Sequence, residues 1–143
     1  MKFTIATDYS QVTGLRHCSV SDFSGEDFYF KKLNEAFAEA YKKKDKLYLV
    51  LDGVVGGYTP SFIDEAIGNL VYDFGLEVVK KTLSVVSEKE EQWKVFINER
   101  TYPTWEKRRE KQEEPAITER HGSWYRLVNG KLEEKEWIPF SQS

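Results

Sequence analysis

The stretch from Leu47 to Phe62 constrains the fold more than any other part of the sequence. It opens with a continuous apolar run, Leu47 to Leu51, as expected of a strand that is covered on both faces. A turn rich in glycine follows, and then Thr59 and Pro60, a typical pair for the N-cap and first turn of a helix. The sequence therefore predicts a buried strand, a tight turn and a helix that begins at a hydroxyl residue.

Strands and helices alternate along most of the remaining chain. We expect further strands at Phe3 to Thr7, Gly14 to Val20 and Leu83 to Val86. Ser24 and Ser87 each precede an acidic residue by three positions, a capping-box spacing that predicts a helix start. Alternation of this kind indicates an α/β fold, with helices packed against a sheet.

Pro103 interrupts the helical pattern, and the character of the sequence changes beyond Pro115. Trp105 to Glu114 is strongly charged and helical in pattern, and Asn129-Gly130 between two short strand-like runs is a strong hairpin signal. A turn of two residues would pair Leu127 with Leu132. We therefore divide the chain into an α/β domain at 1–102 and a C-terminal helix and β-hairpin extension at 103–143. The tryptophans are expected in the core or where the hairpin docks: Trp93, Trp105, Trp124 and Trp137.

Composition argues against several classes of protein. The 143 residues, 40% of them hydrophobic, are enough for one packed core. A net charge of −3 disfavours a nucleic-acid binder, and no apolar run approaches the roughly 20 residues of a membrane span. Cys18 is the only cysteine, which excludes an internal disulfide and fits a reducing compartment. We see no signal peptide and expect a cytoplasmic protein without membrane association.

The hydroxyl residues at the start of the second helix form the candidate site. Thr59 is the predicted N-cap, and Ser61 falls in the first turn, at the electropositive end of the helix. Capping alone accounts for both residues. The alternative is that Ser61, or else Thr59, accepts a phosphoryl group, which would gain about 0.3–1 kcal/mol from the helix dipole. Asp64 and Glu65 would offset that gain, so the modification would act at an interface rather than on the fold.

Two other features have a structural interpretation and a functional alternative. Gly53, Gly56 and Gly57 match neither a Walker A motif nor a dinucleotide fingerprint, so we interpret them as a turn. Asp52, at the end of the strand, is expected to organise that turn. The alternative is an enzyme in which Asp52 attracts a cation or acts as a base.

The remaining reactive groups suggest no catalytic or metal site. His17 and Cys18 are neighbours, and on a strand they would point to opposite faces. No ligand spacing involves His121, so we expect no metal, no cofactor and no catalytic residue. The basic cluster of Lys107, Arg108 and Arg109 is interleaved with glutamates and is interpreted as a solvated helix face. The alternative function is a nucleic-acid-associated subunit that uses this helix and the hairpin.

Several of these segments together resemble the bacterial STAS-like domain family. The matching segments are Leu49–Val54, Pro60–Ala66 and Gly68–Leu70, with Ser24–Phe28 similar to the start of the preceding helix. The resemblance covers roughly residues 1 to 100 and implies a STAS-like fold, with helices packed on a mixed β-sheet.

The resemblance also implies a function and a set of contact residues. Related anti-sigma-factor antagonists bind a GHKL-type kinase and are phosphorylated on a serine at this helix start, which Ser61 matches. Those proteins usually carry Asp-Ser-Ser-Gly there, whereas this chain has Thr59-Pro60-Ser61-Phe62. The expectation is a non-catalytic regulatory module that binds a GHKL-type ATPase or kinase, with a homodimer as a further expectation. The expected contact residues are Gly56, Gly57, Tyr58, Thr59, Pro60, Ser61, Phe62, Asp64 and Glu65.

Overall fold

The central sheet is parallel and has three strands in the order β1-β2-β3. The structure, a computed structural model, describes residues 1–136, so Trp137 lies outside the described residues. The strands are β1 (Lys2–Thr4), β2 (Leu47–Val50) and β3 (Leu83–Val86). Leu47 and Leu49 are buried whereas Tyr48 is exposed, so the expectation that β2 is covered on both faces is wrong.

Seven α-helices are assigned within the described residues, and several run on from one another. They are α1 (Ile5–Asp8), α2 (Gly25–Phe28), α3 (Asn34–Lys42), α4 (Pro60–Phe74), α5 (Leu76–Thr82), α6 (Gln92–Phe96) and α7 (Tyr102–Glu110). A π-helical segment, Tyr29–Leu33, joins α2 to α3, and another, Ile97–Thr101, joins α6 to α7. The predicted cap at Ser24 is confirmed, because its hydroxyl accepts a hydrogen bond from the Asp27 amide at 3.0 Å.

The predicted strand at Gly14 to Val20 is wrong, since this stretch is a loop. Its backbone carbonyls bond to the start of α2 instead of to a neighbouring strand. The Gly25 amide donates to Leu15 O at 2.9 Å, and the Glu26 amide donates to Arg16 O at 3.0 Å. The loop is therefore held between α2 and α4, which places it beside the candidate site.

Helix α4 forms the centre of the core. From Phe62 to Phe74 every residue except Asp64 is buried. The helix packs against α2 and its π-helical continuation on one side, and against α7 and β4 on others. Gly68 lies directly under the indole of Trp105, a buried side chain of α7. The part of the extension that holds α7 therefore contributes to the same core as the sheet.

The C-terminal hairpin is a separate antiparallel sheet of two strands, β4 (Trp124–Val128) and β5 (Lys131–Lys135). The predicted pairing of Leu127 with Leu132 is confirmed. Asn34 anchors β4 by bonding both the amide and the carbonyl of Tyr125, at 2.7 and 2.9 Å. Parallel and antiparallel pairings thus occur in separate sheets. Among the described residues, none of the helices combines the length and hydrophobicity of a membrane span.

A buried polar network fixes the hairpin to α4. Arg126 Nε donates to Asp73 Oδ1 at 2.7 Å, and the Tyr29 hydroxyl donates to the other oxygen of Asp73. Burial raises the pKa of Asp73 to about 6, although Arg126 and the Tyr29 hydroxyl act in the opposite direction. The hairpin therefore docks on the body of the protein.

Candidate functional site

Thr59 caps α4, as the sequence predicts. Its hydroxyl accepts a hydrogen bond from the Phe62 amide at 3.2 Å and donates to Gly14 O at 3.1 Å. Pro60 occupies the first helical position. A backbone N–H at this position has no partner within the helix, so the N–H that proline lacks costs no hydrogen bond. The hydroxyl of Thr59 is therefore occupied both as an acceptor and as a donor.

The Ser61 hydroxyl is half-buried and lies 3.2 Å from that of Thr59. It stands in the first turn of a helix of 15 residues, close to the free N–H groups at the positive end. It is not sealed inside the core, and it is not fully in solvent either. Its neighbour in the chain, Pro60, is exposed.

Two of the expected contact residues need correction. Phe62 is 0% exposed and packs between Phe28 and Tyr58 in the core, so it cannot touch a partner. Glu65 is also buried, and it accepts a hydrogen bond from Asn69 Nδ2 at 3.0 Å. Burial follows from helical spacing, because these side chains point to the face of α4 that packs against α2.

The other expected contact residues are at least partly accessible. Gly56 and Pro60 are exposed, and Gly57, Tyr58 and Asp64 are half-buried. Tyr58 also has a structural role, since its hydroxyl donates to Leu51 O at 2.6 Å and its pKa is raised by burial. Its ring is therefore fixed at the rim of the site.

Arg16 brings a positive charge to the first turn of α4. Its Nη1 donates to Asp64 Oδ2 at 2.8 Å and to Glu65 Oε1 at 3.1 Å. Burial raises the pKa of Glu65, and the hydrogen bonds from Asn69 and Arg16 work against that rise. Sequence reasoning missed Arg16, because it lies 48 residues before Asp64 on a segment predicted to be a strand.

Exposed apolar side chains lie on the two loops that meet at the helix start. Val12, Leu15 and Val55 are 48%, 45% and 68% exposed. Two hydrogen bonds join the loops that carry them: Val55 N to Gln11 O at 2.7 Å, and Thr13 Oγ1 to Gly57 O at 3.1 Å. We call Val12, Leu15, Val55, Pro60 and Ser61 the helix-start surface.

Asp52 organises a turn, but not the glycine-rich turn after β2 that the sequence predicted. Its carboxylate accepts hydrogen bonds from the amides of Glu88 and Lys89 at 2.9 and 3.1 Å, and from the Ser87 hydroxyl at 3.3 Å. The hydrogen bond from the Glu88 amide is the largest cause of a lowered pKa for Asp52. The carboxylate therefore holds the turn after β3.

The basic side chains of α7 are engaged within their own segment. Arg108 donates to the carbonyls of Glu113 and Glu114 and lies 4.4 Å from the centre of the Trp105 ring. Arg109 Nη1 lies 3.5 Å from Glu106 Oε1. This arrangement agrees with the interpretation of residues 107–109 as a charged helix face.

A second cluster, which sequence reasoning missed, surrounds the buried carboxylate of Glu26. This side chain is 0% exposed, and three backbone amides donate to it. The Cys18 amide lies 3.2 Å from Oε1, while the amides of Thr118 and Glu119 lie 3.0 and 3.2 Å from Oε2. The Thr118 hydroxyl adds a bond of 2.6 Å to Oε1.

Two histidine side chains and one cysteine side chain also lie close to this carboxylate. His121 Nε2 lies 2.7 Å from Glu26 Oε2, and His17 Nδ1 lies 3.2 Å from Oε1. One ligand atom from each of Cys18, Glu26 and His121 lies within 4.8 Å of the other two. Burial alone would raise the pKa of Glu26, but the hydrogen bonds, chiefly that from His121, lower it to about 2.

Cys18 is half-buried, whereas a small buried residue was expected from the sequence. The thiol lies 3.3 Å from the hydroxyl of Ser24, and burial raises its pKa to about 12. Glu26 and His121 are 95 residues apart, so no local spacing joins them. The expectation of no metal site rested on spacing, and only the folded chain brings these ligand types together.

Comparisons with known proteins agree with this architecture. Residues 24–93 match a family described as a STAS-like domain of unknown function (DUF4325). The matched segment starts at the cap of α2, contains β2, α4, α5 and β3, and ends at Trp93 in α6. No curated protein and no solved structure gives a significant match. The chain thus contains a STAS-like domain, as the resemblance of its sequence predicted, and residues 24–93 belong to that family.

Proposed function

We propose that this protein is a non-catalytic regulatory module that binds a GHKL-type ATPase or kinase through the helix-start surface. The observation that carries the proposal is the group of exposed apolar side chains, Val12, Leu15 and Val55, on the two loops that meet at the first turn of α4. Water-exposed valine and leucine side chains gain free energy when a partner covers them, at roughly 25 cal/mol per Å². Protein binding is the role that such a surface fits best.

We further propose that Ser61 is the phosphoacceptor of this module. Its hydroxyl is half-buried, adjoins the exposed Pro60, and lies at the positive end of α4. Arg16 is a nearby cation, although Asp64 already pairs with it at 2.8 Å. A phosphate would gain about 0.3–1 kcal/mol from the helix dipole and lose a similar amount to the carboxylate of Asp64.

The consequence of phosphorylation would be felt in binding. The residues of α4 that follow Ser61 are mostly buried, so the helix is held in place by its packing. A dianion enclosed by an apolar interface costs several kcal/mol when it finds no partner. A loss of about 3 kcal/mol weakens binding more than a hundredfold, which is enough for a switch.

The phosphorylation experiment uses the GHKL-type ATPase encoded nearest to this chain in the genome. The purified protein is incubated with that ATPase and ATP, and its intact mass is measured. We expect one phosphate on the wild type and none on Ser61→Ala. A phosphate that persists on Ser61→Ala and disappears in Thr59→Ala would transfer the role to Thr59. No phosphate on the wild type would reject the switch.

The binding experiment uses two matched variants of exposed valines. Val55→Asp places a charge on the helix-start surface, and Val95→Asp places one on α6, where Val95 is 52% exposed. We expect at least tenfold weaker binding of the ATPase for Val55→Asp and unchanged binding for Val95→Asp. Equal effects of the two substitutions, or no complex with the wild type, would contradict the proposed surface.

A further inference from the structure

The chain has two histidines and one cysteine, and all three lie around a single buried carboxylate. His17 and Cys18 come from the loop before α2, Glu26 from the first turn of α2, and His121 from the segment before β4. Imidazole, thiolate and carboxylate are the ligand types that proteins use for Zn²⁺. The convergence of these groups from three segments calls for an explanation other than chance packing.

We propose that Cys18, Glu26 and His121 form a binding site for a divalent transition-metal ion, with Zn²⁺ as the best match. The three ligand atoms lie within 4.8 Å of one another. Tetrahedral bonds to one zinc ion would hold such atoms roughly 3.3–3.6 Å apart, so the set must contract when the ion binds. A sulfur and a nitrogen donor together favour Zn²⁺ over Mg²⁺ or Ca²⁺, which prefer oxygen ligands only. This site is separate from the helix-start surface and does not depend on the function proposed above.

The pair of His121 and Glu26 requires only a small adjustment. His121 Nε2 and Glu26 Oε2 are 2.7 Å apart, a hydrogen-bond distance. Zinc bonds of about 2.0–2.1 Å at tetrahedral angles would hold the two atoms roughly 3.3 Å apart. The pair must therefore open by about half an ångström. The His121 ring is stacked on the Phe30 ring, with centroids 4.4 Å apart. The stacking allows the His121 ring to shift within its own plane.

Glu26 can give up a hydrogen bond without leaving its charge unsatisfied. A carboxylate offers about four lone-pair positions, whereas six donors reach this one. If His121 turns its Nε2 to a metal ion, the amides of Cys18, Thr118 and Glu119 still hold the carboxylate in place. His17, on Oε1, is a positioning residue in this arrangement.

An acidic cavity adjoins the site at Cys18. A cavity of about 300 Å³ opens beside Cys18. Its charged lining consists of Asp22, Asp27 and Glu119 with one cation, Lys31, which pairs with Asp27 at 3.0 Å. The remaining negative charge attracts a divalent cation, and the cavity has room for the water molecule that would complete four-coordination.

The test is direct titration of the full chain with Zn²⁺ alone after treatment with a chelator. We expect one tightly bound Zn²⁺ per chain and a higher thermal midpoint, because a ligand that binds only the folded state stabilises it. Co²⁺ provides an independent measurement, since a cysteine ligand gives a thiolate-to-metal charge-transfer band in the near ultraviolet. The band should be present in the wild type and absent in Cys18→Ser.

Three variants make the result decisive. Cys18→Ser and His121→Gln should each bind Zn²⁺ at least tenfold more weakly, while the control Glu77→Gln, an exposed carboxylate on α5, should bind as the wild type does. Circular dichroism of the metal-free variants establishes that each one is folded. Less than one Zn²⁺ per chain, or equal affinity in all the variants, would overturn the proposal and leave the cluster as a hydrogen-bonded clamp.

Discussion

Replacing Gly68 with alanine tests the packing of α7 on the core helix. An alanine Cβ at this position would lie closer than 3.0 Å to three ring atoms of Trp105, a separation that real Cβ atoms essentially never show. Trp105 is buried, so its indole has no free space into which to move. The substitution therefore forces either the indole or the backbone of α7 away from α4.

The size of the effect follows from two opposing contributions. Overpacking a core costs about 1–3 kcal/mol, and a clash with three atoms of a rigid ring belongs at the upper end or above it. Alanine gains about 1 kcal/mol over glycine in the interior of a helix. The net expectation is a loss of about 2 kcal/mol in the free energy of unfolding. For a chain of this size that loss lowers the thermal midpoint by about 4–8 °C.

Chemical denaturation and thermal melting of the wild type and four variants provide the assay. Gly122 is the matched control, because an added Cβ there meets nothing within 4 Å, so Gly122→Ala should change stability by less than about 0.5 kcal/mol. In a Trp105→Ala background, which is itself destabilised, Gly68→Ala should become neutral or stabilising, since only the helix-propensity gain remains. If Gly68→Ala stabilises the protein that retains Trp105, the reasoning fails.

Three further predictions concern single side chains. Thr59→Ala removes the cap of α4 and should cost about 1 kcal/mol in urea denaturation, whereas Thr59→Ser should cost much less; equal losses would contradict capping by the hydroxyl. Asp52→Ala leaves the amides of Glu88 and Lys89 without their acceptor and should lower the free energy of unfolding by about 1 kcal/mol; an unchanged value would mean that water replaces the carboxylate. Because burial raises the pKa of Asp73 to about 6, the folded state binds more protons than the unfolded state between about pH 4 and 6. The stability of the wild type relative to Asp73→Asn should therefore fall by up to about 3 kcal/mol as pH rises from 4 to 7, and parallel pH profiles would refute this.

The local features of the fold were predictable from sequence because each depends on neighbouring residues. The cap at Thr59 and the hairpin register at Leu127 and Leu132 are set within a few positions of the residues involved. The apolar run of Leu47 to Leu51 predicted a strand but not its environment. Composition cannot tell which face of a strand a helix will cover. The face of β2 that carries Tyr48 is exposed.

The features that were missed depend on long-range contacts. Arg16 reaches Asp64 only because the loop of residues 9–24 folds over the start of α4, and a strand was expected in that segment. The resemblance likewise implied that Phe62 and Glu65 contact a partner, whereas both side chains face inward. Glu26 carries no sequence signal of its own, since its donors Thr118 and His121 lie 92 and 95 residues away.

The distance along the chain between Glu26 and its last donors also determines the order of folding during synthesis. The ribosome makes the N-terminus first, so the sheet and the matched family segment emerge before Thr118 and His121 exist. Until those residues are made, only the loop before α2 can form hydrogen bonds with the carboxylate, and water supplies the others. Closing a loop of more than 90 residues is slow compared with helix formation. The enclosure of Glu26 is therefore a late event in synthesis, because Thr118 and His121 must first be made.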